Sequence, residues 1–186
     1  MPIPVPDKVG KHLTGEAVEV MRTVAMKVLS MYHDETVGRA KMVKAGLYCS
    51  IYTLDDAVDK TPLVTFRCGV MHRDLKATFR HHCQEQACRL GEHLVDGHVS
   101  SFQSADFKST HVGGTWPGAI LANLFILSCA SGMPWEYNEV ASLATGMELG
   151  LINLSEAAAI GAVSKNGVFP RFVDFEVPAP PAPLIG

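Results

Sequence analysis

The chain has 186 residues, 47% of them hydrophobic and 19% charged, with a formal net charge of −3. That length and composition fit one domain with a sizeable core and argue against global disorder. Lysines and arginines are scattered among the acids, so nucleic acid is not expected as a partner.

No run approaches eighteen apolar residues, so no membrane span and no membrane partner are expected. Met1-Pro2-Ile3-Pro4-Val5-Pro6-Asp7 lacks the basic and apolar regions of a secretory signal. Five cysteines are an odd number in a chain large enough to fold without staples. Reduced, mostly buried thiols in a cytoplasmic protein are the expectation.

The proline-spaced start predicts an extended arm over residues 1–13. Thr14 can cap a helix reaching about Met31, with Ala17, Met21, Val24 and Val28 on its buried stripe. The polar stretch 33–46 reads as a loop or a short second helix. Leu47, Cys49, Ile51 and Thr53 alternate with Tyr48, Ser50 and Tyr52 as a strand. Leu63–Val70 returns as its antiparallel partner after a longish loop.

Residues 72–94 predict a helix with Leu75, Phe79, His82 or Cys83, Gln86 and Leu90 along one stripe. A polar connector over 97–108 leads to two short strands, Ala119–Ala122 and Leu124–Cys129. The second is apolar without alternation, as suits a central strand covered on both faces. Trp135–Leu151 returns to helical period, with Gly150 or Asn153 to close it. Ser155 can cap a short helix over Glu156–Ser164, stopped by Asn166-Gly167. Phe169–Val177 alternates like an edge strand, and the tail from Pro178 is proline-rich. The expected fold class is α/β, a sandwich with a largely antiparallel central sheet. Its divisions would be an arm (1–13), a domain (14–152) and a C-terminal extension (153–186).

Two segments concentrate backbone-permissive residues beside chemistry. They are His111-Val112-Gly113-Gly114-Thr115-Trp116-Pro117 and Ser131-Gly132-Met133-Pro134-Trp135-Glu136-Tyr137-Asn138-Glu139-Val140. With the strand between them, they resemble the GlcG/HbpS-like superfamily of the haem-degrading type, and are most similar to its small, poorly characterised branch. The likeness covers about residues 14–152. It implies a profilin-like α/β/α fold, assembly into dimers or larger homo-oligomers, and haem or another tetrapyrrole as ligand in some members. The chain departs from that pattern where Val112 separates the histidine from the glycines. Trp116-Pro117-Gly118 also replaces the usual aromatic-Pro-Ile, and the chain after residue 152 has no counterpart.

Read by themselves, Gly113 and Gly114 can take positive φ and present backbone N–H groups to an anion, or simply let two strands approach. Trp116 can stack on a planar ligand or bury its ring. His111 titrates near neutrality and is the candidate acid/base, with Glu136 as its carboxylate partner. Glu136 and Glu139 also suit a first helical turn for the helix dipole alone. Arg73, Lys76 and Arg80 form a basic face that could receive a carboxylate or propionate.

The helix over residues 81–93 carries half-sites, His81 with Glu85 and Glu85 with Cys88, which His93, His98 or another subunit could complete. It has neither CxxC nor HExxH spacing, so no metal site is assigned. Cys129 reads as an inert core thiol. Two readings of function follow. One is an oligomeric binder of a small molecule or tetrapyrrole, with haem as the candidate cofactor. The other is a cofactor-independent lyase, isomerase or cyclase using His111 and Glu136 on a carbonyl-bearing substrate. A purely structural role is the third.

Overall fold

The computed structural model describes residues 7–36, 46–69, 71, 73–107 and 115–177. In chain order these residues form α1 (Asp7–Thr36), β1 (Gly46–Thr53), α2 (Leu54–Val58), β2 (Val64–Gly69) and α3 (Arg73–Glu92). Then come β3 (Ala119–Ala122), β4 (Phe125–Ser131), α4 (Trp135–Glu148), α5 (Leu154–Val163) and α6 (Val168–Asp174). The strands make one sheet in the order β2-β1-β4-β3, with every neighbouring pair antiparallel.

Strand alternation divides the side chains between two helical layers. Leu47, Cys49 and Ile51 of β1 and Leu127 and Cys129 of β4 enter the main core with α1 and α4. Tyr48, Tyr52, Ile126 and Ala130 face the other way, beneath α3. The result is an α/β/α sandwich. Both central strands are buried on both faces, which is why β4 shows no polar alternation. All five cysteines are free, and Cys49, Cys83 and Cys129 are buried. None of the described helices is long and apolar enough to cross a membrane.

Three expectations are corrected. α1 starts at Asp7, so residues 7–13 are helical rather than extended. The last proline of the arm is Pro6, and nothing after it prevents the helix from running back past Thr14. α5 is capped by Asn153 and not by Ser155. The Asn153 side chain accepts from Glu156 N at 3.0 Å, while Glu156 Oε2 accepts from Asn153 N at 2.7 Å, a reciprocal capping box.

α6 runs through most of Phe169–Val177, where an edge strand was expected. Val168, Phe169 and Phe172 are buried, a spacing of i, i+1 and i+4 that shares one face of a helix but not one face of a strand. Pro170 falls in the first turn, where it removes no helical hydrogen bond.

α6 and α5 pack on α4, which also touches α1, β3 and β4. Ten consecutive residues of α4, Tyr137–Gly146, are therefore buried. The C-terminal extension is part of the fold's wall.

Candidate ligand cleft

The turn from β4 into α4 is tied down by its own serine. Ser131 Oγ donates to Asn138 Oδ1 at 2.5 Å and accepts from Met133 N at 3.0 Å. Pro134 then leads directly into α4, putting Trp135 at the first helical position and Asn138 one turn on. Asn138 is buried at 5% exposure.

The loop carrying Trp116 is held from α3. Arg89 donates through Nη2 to Trp116 O at 3.0 Å and through Nη1 to Ser101 O at 2.5 Å and Ser104 Oγ at 2.8 Å. Glu85 fixes the other edge of the guanidinium, accepting from Nε at 2.6 Å. Gln86, one turn back, donates to Pro117 O at 3.2 Å and accepts from Ser128 Oγ at 2.8 Å. The loop is thus laced to both a helix and a central strand. Asp106 and Thr115 form an antiparallel bridge, and Phe107 meets Trp116 edge to face at 6.3 Å.

These supports leave a cleft of about 290 Å³ between the loop, the turn and α3. Trp116, Trp135, Phe79, Met133 and Pro134 supply apolar walls, and His82, Gln86, Ser131 and Asn138 are the polar lining. Phe107 sits 6.2 Å from Trp135 as well as beside Trp116, linking the two indoles through one ring. Trp116 is 41% exposed, so it is only partly covered. Burial, aided by neighbouring His81, holds the His82 imidazole below its ordinary pKa. It is therefore uncharged near neutral pH.

The two segments singled out in the sequence do meet here, through Trp116 on one side and Ser131–Trp135 on the other. The remaining assigned residues are placed differently. His111, Gly113 and Gly114 lie outside the described residues. Glu136 is half-buried and does not line the cleft, although its carbonyl accepts from Asn166 Nδ2 at 3.0 Å. Lys76 and Arg80 are exposed on α3 and are also absent from the lining. Arg73 opens α3, and its side chain lies outside what is described.

The metal half-sites are taken up otherwise. Glu85 holds Arg89, Cys88 Sγ approaches Glu92 Oε1 at 3.5 Å, and His93 stacks on His98 at 5.0 Å. Among the described residues there is no group of three or more His, Cys, Asp or Glu side chains that could hold a metal ion.

Sequence reasoning passed over Arg89 and Asn138, and it read Glu139 as a dipole carboxylate. Glu139 is instead 0% exposed. Its Oε1 accepts from Ser100 Oγ at 2.5 Å, and its Oε2 accepts from Ser164 Oγ at 2.6 Å and Asn166 Nδ2 at 2.8 Å. This carboxylate joins the connector before β3 to the α5–α6 turn, one residue along from the cleft's Asn138.

Comparison of the chain with protein-family models, with curated proteins and with solved structures finds no match.

Proposed function

We propose that the chain is a small-molecule-binding protein whose ligand is a compact planar ring held between Trp116 and Trp135. The observation that carries this reading is the cleft itself, in which two tryptophans from separate segments wall one space and a buried asparagine and a neutral histidine line it. Flat apolar walls with a few placed polar groups are the usual composition of a ligand site. At about 290 Å³ the cleft lies near the small end of such sites, which run from roughly 300 to 1,000 Å³. A bicyclic ring suits it better than a fully enclosed tetrapyrrole. The acid/base enzyme reading has less support, because His82 is the one titratable side chain among the described lining residues. The homo-oligomer rests on the family resemblance, and a light-scattering mass of a single 20.1 kDa chain would remove it.

The chain has two tryptophans and both line the cleft, so tryptophan fluorescence, excited beyond tyrosine absorption, reports on this site alone. Quinoline is expected to quench that emission saturably. Trp116→Ala should weaken binding roughly tenfold, as loss of one stacking face is worth ~1–3 kcal/mol. Quenching that never saturates, or an affinity unchanged in Trp116→Ala, contradicts the reading. Haem is the second probe: a Soret shift lost in His111→Ala would support the tetrapyrrole form instead.

A further inference from the structure

The polar lining narrows the class of ligand, on the premise that the cleft is a binding site. Asn138 is nine-tenths buried, and its two ends are unequal. Oδ1 is occupied, accepting from Ser131 Oγ at 2.5 Å. No described hydrogen bond takes up the Nδ2 hydrogens, although the residue lines the cleft. Nδ2 is not sealed off without a partner; it stays open to the cleft, where a ligand that brings an acceptor gains one hydrogen bond, about 0.5–1.5 kcal/mol net.

The other lining polar groups have less to offer. Gln86 spends its amide on Pro117 O and Ser128 Oγ. Ser131 spends its proton on Asn138 and accepts from Met133 N. His82 adds a ring nitrogen of each kind in its uncharged form.

Every polar side chain among the described lining residues is therefore uncharged at neutral pH. An ionised ligand would leave water for this space without a described counter-charge, which is costly.

We propose that the cleft takes a neutral, flat heterocycle with a ring carbonyl, the carbonyl oxygen accepting from Asn138 Nδ2 while the ring lies against Trp116 and Trp135. The carbonyl is the specificity element and the indoles supply most of the affinity. The same geometry disfavours carboxylated and phosphorylated rings of equal size. Arg80 and Lys76 do not rescue them, because neither lines the space.

Three bicyclic probes of matched shape separate the contributions: 2-quinolinone, naphthalene and quinoline-2-carboxylate. Their dissociation constants are measured by equilibrium dialysis with the full chain. Wild type is expected to bind 2-quinolinone about tenfold more tightly than naphthalene, the value of one buried hydrogen bond, and the carboxylate most weakly. Asn138→Asp keeps the shape and the oxygen that Ser131 uses, but replaces the free donor with an acceptor. It should reduce 2-quinolinone binding to the naphthalene level while changing naphthalene by less than about twofold.

If naphthalene binds wild type as tightly as 2-quinolinone, the ligand class is wrong although the cleft reading stands. The same holds if the carboxylate binds best, or if Asn138→Asp weakens all probes alike. If no probe binds, the cleft reading falls and takes the ligand class with it. The wild-type ranking needs no variant, so a misfolded Asn138→Asp still leaves a decision.

Discussion

Glu139→Ala is expected to lower the unfolding free energy by about 3 kcal/mol, because it takes the shared carboxylate acceptor from three buried donors at once. The cost is less than three full penalties because the donors have partial alternatives. Ser164 Oγ also lies 3.1 Å from Gly161 O, and Asn166 Nδ2 keeps Glu136 O at 3.0 Å. Ser100 Oγ retains its bond from Phe102 N at 3.1 Å but loses its acceptor. For a chain of this size such a loss lowers Tm by roughly 6–12 °C. Glu139→Gln keeps one oxygen for Ser164 and Asn166 and turns an amide toward Ser100, so about 1 kcal/mol is expected there.

The carboxyl also makes stability depend on pH in a stated direction. Burial raises the pKa of Glu139 against the lowering pull of Ser100, Ser164 and Asn166, and nearby Glu136 adds to the rise. A carboxyl raised in the folded state stabilises the fold fully below its unfolded value, 4.5, and loses that contribution as pH climbs through the folded one. Urea unfolding of wild type should show stability declining over that window, and Glu139→Gln should flatten it. An unchanged slope in the variant would mean that another group controls the decline.

Gly118→Ala is the second large effect. A Cβ at Gly118 would lie 2.3 Å from Cys129 O and 2.7 Å from Gln86 Oε1. The first obstacle is backbone of a central strand, so it has little freedom to yield. The glycine is also bonded on both sides. Its N–H donates to Ser101 Oγ at 3.1 Å, and its carbonyl accepts from Ser142 Oγ at 2.6 Å and Cys129 N at 3.2 Å. Overpacking costs ~1–3 kcal/mol in ordinary cores, and here the top of that range is expected. Because Trp116 is two residues away, probe binding should fall together with stability. Gly15→Ala is the control: nothing lies within 4 Å of its Cβ position in α1, and helix propensity predicts a gain of about 1 kcal/mol. Equal effects at the two glycines, read from chemical denaturation, would show that close packing at Gly118 is not what matters.

The elements were legible where one period dominates. The β1 alternation, the apolar run of β4 and the stripe of Met21, Val24 and Val28 each admit one reading, and the structure has those elements. Phe169-Pro170-Arg171-Phe172-Val173-Asp174-Phe175 admits two. Phenylalanines three apart suit a helix, and the alternation suits a strand; α4 decides by offering a surface for Phe169 and Phe172. In the sequence, Asn153 reads as a stop for α4 and Ser155 as the start of α5, and the reciprocal bond with Glu156 makes Asn153 the cap of α5 instead.

The cleft was half visible. The turn residues flagged both of its tryptophans, and the stripe on α3 contained Phe79 and Gln86. Its supports were not visible, because they join residues distant in the chain. Arg89 reaches Trp116 across 27 positions, and Glu139 reaches Ser100 across 39. No spacing rule connects such pairs. Glu139 looked like an ordinary first-turn acid because the helices that bury it come later in the sequence. Gly118, to which the sequence assigned no role, makes a close backbone approach to Cys129, while Gly113 and Gly114 lie outside the described residues.

A ligand lying between Trp116 and Trp135 would touch both indoles. The chain has two indole N–H groups, so a ¹⁵N-edited NMR spectrum carries one resonance from each wall. Added 2-quinolinone is expected to move both resonances along one saturation curve. Saturable shifts of backbone amides elsewhere, with both indole resonances stationary, would contradict the account.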